Sequence, residues 1–101
     1  MYIVVSKWEI LPGQTEAFKA AGRAMRDFMR NLPGVEYVQS VQCEDGNALA
    51  IVGYTDESSY QAVMAEGGEF EKGARQYNLE SMANWAWSER GEAIDFEPAM
   101  A

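Results

Sequence analysis

Two residue sets alternate along the first eleven positions, MYIVVSKWEIL. Tyr2, Val4, Ser6, Trp8 and Ile10 form one set; Ile3, Val5, Lys7, Glu9 and Leu11 form the other. A strand sends such sets to opposite faces. The first set is apolar except for Ser6 and is expected to face the main core. The second is apolar at its ends and charged in its middle, which suits a face covered only in part. Pro12-Gly13 marks the turn that ends this strand, central in its sheet. From Thr15 to Asn31 the period changes. Phe18, Ala21, Met25, Phe28, Met29 and Leu32 recur every three or four residues and predict an amphipathic helix. Gln14 or Thr15 is its expected cap, and NLPG (Asn31 to Gly34) stops it.

Val35 to Cys43 alternates again as a second strand, and Asp45-Gly46-Asn47 is a strong hairpin signal. Ala48 to Tyr54 is a third strand, with Gly53 placed for a close backbone contact. Thr55 or Asp56 caps a second helical region that turns Tyr60, Val63 and Met64 inward, is interrupted at Gly67-Gly68 and resumes through Phe70, Ala74 and Tyr77. Leu79 to Ser88 reads as the last strand, with Ala83, Trp85 and Trp87 on one side. Arg90-Gly91 is expected to turn the chain, and Ile94 and Phe96 to make a short extra strand or to clasp a partner subunit.

The order βαββαβ predicts an α+β, ferredoxin-like fold, a four-stranded antiparallel sheet with both helices on one face. The other face is expected to expose Ile3, Val5, Val38, Leu49 and Ile51, an apolar area that calls for a second copy of the chain packed sheet on sheet.

Composition changes this picture in only a few places. At 101 residues the chain is read as a single domain, 1–101. A net charge of -8 argues against nucleic acid or an anionic membrane as partner. No apolar run approaches the ~20 residues of a spanning helix, and no signal peptide is expected. A single cysteine, Cys43, cannot form an internal disulfide, so a reducing cytoplasm is the expected location. There is no histidine, which removes histidine-based triads, metal sites and haem ligation. No metal-ligand spacing stands out.

Ser6-Lys7-Trp8, the LPGQTEAF entry to the first helix, the NLPGV exit and above all IVGYTDESSYQAV together resemble the antibiotic-biosynthesis-monooxygenase family of dimeric α/β barrels, over roughly Met1 to Ser88. That family includes cofactor-free quinol-forming monooxygenases, haem-degrading enzymes and stress-response proteins. The haem-degrading pattern places an asparagine, a tryptophan and a histidine where this chain has Ser6, Tyr54 and Ala74 or Arg75, so haem degradation is not expected.

The resemblance implies a cofactor-independent monooxygenase, with neither metal nor flavin, that acts on an aromatic or quinol-type small molecule. Such chemistry needs an apolar, aromatic-lined cavity, a donor to the substrate anion and exclusion of water. Tyr54, Ser6 and Trp8 are the candidate catalytic residues. Arg23, Tyr37, Trp85, Met25 and Met64 are the candidate substrate-binding residues, with Trp87 as a further wall and Asn84 and Arg75 as further polar groups. The alternative is a non-enzymatic ligand-binding or stress-related homodimer of the same fold. A cavity packed shut by Trp8, Phe18 and Met25 would favour that alternative; an open one ringed by Ser6, Tyr54 and Arg23 would favour the enzyme.

Overall fold

In the computed structural model, which describes residues 1–94, the opening alternation becomes β1 (Tyr2–Ile10). Tyr2, Val4, Ser6 and Trp8 are buried and the residues between them are less so, as the pattern requires. β1 is central: β3 (Ala48–Tyr54) pairs with it on one side and β4 (Ala83–Glu92) on the other, both antiparallel. β2 (Val35–Gln42) pairs antiparallel with β3 at the edge, giving the order β2-β3-β1-β4. With its helices on one face, this is the predicted ferredoxin-like arrangement.

The apolar stripe of the first helix, α1 (Thr15–Met29), lies where its spacing places it. Phe18, Ala21, Met25 and Met29 are buried, and Phe28 and Leu32 pack at the margin. Each fully buried side chain of this size contributes roughly 1.5–3 kcal/mol of hydrophobic stabilisation. Gln14 holds the cap position without a side-chain bond. The second helical region is two short helices, α2 (Glu57–Met64) and α3 (Glu69–Gln76). Asp56 caps α2, its carboxylate accepting from the Ser59 amide at 2.8 Å. The break is enforced at Gly67, whose φ of +73° is a conformation that other residues adopt only at a cost.

Three expectations are corrected, and two share one cause. Along β4, Trp85 opposes Trp8 but Trp87 opposes Lys7, so Ala86 is an extra, bulged residue. A bulge flips the face of everything beyond it. Trp85 therefore turns toward the helices and Trp87 toward the outer face, not to one side together. Along β2, Val35 opposes Tyr54 and Tyr37 opposes Gly53, so Glu36 is bulged in the same way. Val38 consequently points to the helices, and Tyr37, Gln39 and Val41 take the outer face.

The third correction concerns the last strand. Leu79–Ser81 is a single 3-10 turn that buries Leu79, entered through Asn78 at φ +56°. The strand proper begins at Ala83 and runs past Arg90-Gly91, because β1 still offers partners there: Gly91 pairs with Ile3 and Glu92 with Tyr2. Ile94 lies beyond β4 and is fully exposed; the expected role of Phe96 falls outside the described residues.

Candidate active site

Between α1 and the inner face of β1, β3 and β2 lies a cavity of about 290 Å³. Its presence follows from small residues on the central strands. Ser6 opposes Ala50, and Trp8 opposes Ala48, so the sheet floor is low beneath the helix. The walls are apolar: Val4, Ile10, Phe18, Met25, Met29 and Val52 all contribute.

The sequence candidates divide as follows. Ser6, Trp8, Tyr54, Arg23, Met25, Met64 and Trp85 all line this cavity. Tyr37 does not. The bulge at Glu36 turns its ring outward over Gly53, where a Cβ would collide with it. This is the close approach that glycine at position 53 permits. Trp87 is on the outer face and half-exposed, Asn84 opposes Glu9 away from the cavity, and Arg75 is exposed on α3. Phe70 and Leu79 also line the cavity, a role that helix spacing and strand pattern do not announce. Gly22, in the interior of α1, lines it too, and a Cβ there would meet nothing within 4 Å. Packing does not require that glycine, which costs about 0.5–1 kcal/mol relative to alanine in a helix. Its effect is to leave the cavity wider.

Aromatic rings at the cavity form two clusters. Trp8 and Trp85 lie nearly parallel, 9° apart with centroids at 5.4 Å, and Phe18 and Phe70 flank them with tilted rings, 6.1 Å from Trp8 and 5.5 Å from Trp85. Tyr54 meets Tyr60 edge-on at 5.5 Å; Tyr60 in turn contacts Tyr2 at 5.3 Å and lies under the Arg90 guanidinium at 5.7 Å. Beyond Trp85 an open groove of about 840 Å³ runs along α3 and β4, bordered by Glu71, Arg75, Glu80 and Asn84.

Two hydroxyls define what the cavity can do chemically. The Trp8 indole N–H donates to Ser6 Oγ at 3.1 Å in buried surroundings. Ser6 therefore serves as acceptor to tryptophan and keeps its own proton to donate elsewhere. Tyr54 is 2% exposed, and burial pushes its phenol up to about 12, with Tyr60 adding in the same direction. At neutral pH Tyr54 is thus a protonated donor and not a base. Among the described residues no cluster of three His, Cys, Asp or Glu side chains could hold a metal ion.

This phenol gives a pH prediction. Unfolded tyrosine ionises near 10, whereas folded Tyr54 holds its proton to about 12. The stabilisation is complete below pH 10 and is lost as pH rises from 10 to 12, where the unfolded state has already released its proton; the loss is up to about 3 kcal/mol. Ultraviolet titration should show a phenol ionising near pH 12 that Tyr54→Phe removes. Disappearance of an ordinary ionisation near 10 in that variant would refute the assignment.

No family model matches the sequence, and no curated protein matches it. Solved structures do. SnoaB from Streptomyces nogalater, a cofactor-independent oxygenase, superposes with a TM-score of 0.78 over 96% of each chain, at 16% identity. An antibiotic biosynthesis monooxygenase superposes with a TM-score of 0.75, covering 94% of this chain and 100% of its own, at 14% identity. The chain has the fold of the antibiotic biosynthesis monooxygenases. A protein of unknown function from Nitrosomonas europaea shares the same fold, with a TM-score of 0.78 at 14% identity over 95% of this chain and 91% of its own.

Proposed function

We propose that this chain is a cofactor-independent oxygenase acting on an aromatic or quinol-type small molecule in the cavity between α1 and the sheet. The observation that carries this reading is an open, apolar, aromatic-walled cavity with two hydroxyl donors, Ser6 and Tyr54, in its lining. The likeness in fold to SnoaB, a cofactor-independent oxygenase, supports it. An open cavity also speaks against a shape filled shut by Trp8, Phe18 and Met25 and built only for structure.

The residues would act by stabilising an anion. A phenol or anthrone bound in an apolar site loses a proton more readily when hydrogen-bond donors meet the developing oxyanion. Tyr54 and Ser6 are the donors, and the stacked Trp8 and Trp85 hold a planar ring. The resulting electron-rich carbanion or enolate reduces dioxygen. With an anthrone, a ring CH₂ and O₂ become C=O and water, so the substrate supplies the electrons.

The test is oxygen uptake by the purified protein with a panel of hydroquinones and anthrones, no cofactor added and a chelator present. Uptake above the uncatalysed rate is expected. Its absence with every member of the panel would leave the fold in place and favour a ligand-binding role.

The proposal includes a homodimer. Ile3, Val5, Leu49, Ile51 and Trp87 share the outer sheet face, with Tyr37 beside them, and no helix among the described residues covers it. Packing two such faces together removes this apolar area from water. Light scattering at micromolar concentration should give twice the mass of one chain. Ile51→Asp, which sets like charges against each other across a two-fold interface, should shift the protein to monomer. A monodisperse monomer in the unaltered protein would contradict the model.

A further inference from the structure

The lining of the cavity reverses the sign of the chain. The protein has 16 acidic and 8 basic residues. Yet among the described residues Lys19, Arg23 and Arg26 line the cavity, and no Asp or Glu does. A lining drawn at random from this composition would carry twice as many acids as bases. The three cations stand at i, i+4 and i+7 of α1, one face of that helix, beside the gap left by Gly22. Across from them, β2 contributes Val38 and Val41 and the neutral polar groups Ser40 and Gln42.

The three cations are not equivalent. Lys19 pairs with Glu16 at 3.5 Å and Arg26 with Asp27 at 3.3 Å. Arg23 has no carboxylate within 4 Å among the described residues and is exposed. A guanidinium presents paired N–H donors that match a carboxylate, and a charged pair at the edge of an apolar cavity is screened less than one in open water.

We infer that the ligand of this cavity is an aromatic carboxylate, its ring system between α1 and the sheet and its carboxylate on Arg23, which makes Arg23 a specificity-determining residue. The inference rests on the reading of this cavity as the ligand site and adds the charge of the ligand. Gly22 serves it by leaving room for the ring to pass α1. Lys19 and Arg26 flank Arg23, each already paired with a carboxylate of α1.

The test compares two probes of nearly equal shape, 2-naphthoate and the neutral 2-naphthalenemethanol, by quenching of tryptophan fluorescence, since Trp8 and Trp85 line the cavity. At low salt the carboxylate should bind about tenfold more tightly than the alcohol, and added KCl should shrink the difference. Arg23→Gln should abolish the preference while leaving the alcohol's affinity unchanged. Arg75→Gln, an exposed cation on α3 outside the cavity, should keep the preference. Gly22→Leu should weaken both probes.

Equal affinities in the unaltered protein, or a preference that survives Arg23→Gln, would overturn the inference. Either result together with oxygen uptake on neutral anthrones would leave the oxygenase reading standing. A clear preference lost in Arg23→Gln, with no uptake on any substrate, would uphold the anion site and remove the oxygenase.

Discussion

Tyr54→Phe is expected to lower turnover about 10²-fold, the usual cost of removing one preorganised donor to an oxyanion. The variant removes a single oxygen from a side chain that is 2% exposed. The ring contact with Tyr60 at 5.5 Å stays, so the fold should stay with it. The loss should fall on kcat rather than on ligand affinity, because the donor matters most when charge develops on the substrate. Ser6→Ala should act in the same direction, and it also removes the acceptor of the Trp8 N–H. Steady-state oxygen uptake measures all of this. If Tyr54→Phe, Ser6→Ala and Trp8→Phe all turned over like the unaltered protein, the site would lie elsewhere.

Trp8→Ala should be the most destabilising change in the cavity wall, at roughly 3–5 kcal/mol. Trp8 is 8% exposed, stacks on Trp85, packs against the tilted ring of Phe18, and comes from the central strand. Its removal would join the existing cavity to the groove along α3, and a void too large to collapse is costly. In a domain of this size the thermal midpoint should fall by roughly 15 °C or more. Trp8→Phe keeps a ring against Phe18 and should cost far less, while losing the N–H bond to Ser6. A midpoint for Trp8→Ala within a few degrees of the unaltered protein would mean that the stack contributes little.

The wall of the site was legible in the sequence because it lies on regular periods. The alternation of Tyr2 to Ile10 and the stripe from Phe18 to Met29 each assign a face without ambiguity, and Ser6, Trp8 and Met25 follow from them, whereas Tyr54, at the end of β3, follows from the family resemblance. What was not legible lies beyond two bulges. Glu36 and Ala86 each insert one residue, and neither carries a glycine or proline to announce it. Past each bulge strict alternation assigns the wrong face, so Tyr37 was placed in the cavity and Trp87 beside Trp85. Phe70 and Leu79 join the cavity by tertiary packing of α3 and the 3-10 turn, which no local period encodes. The gap at Gly22 was invisible for a related reason: a helical glycine reveals its role only when the neighbouring space is known.

The central claim is that the cavity under α1, and not the groove along α3, holds the substrate. The most direct measurement is a crystal structure of the protein with a dihydroxyanthrone, grown without oxygen. Ring density is expected between Trp8, Met25 and Val52, with a substrate oxygen in hydrogen-bonding range of Tyr54 or Ser6. Density confined to the groove beside Arg75 and Asn84, with the cavity under α1 unfilled, would contradict it.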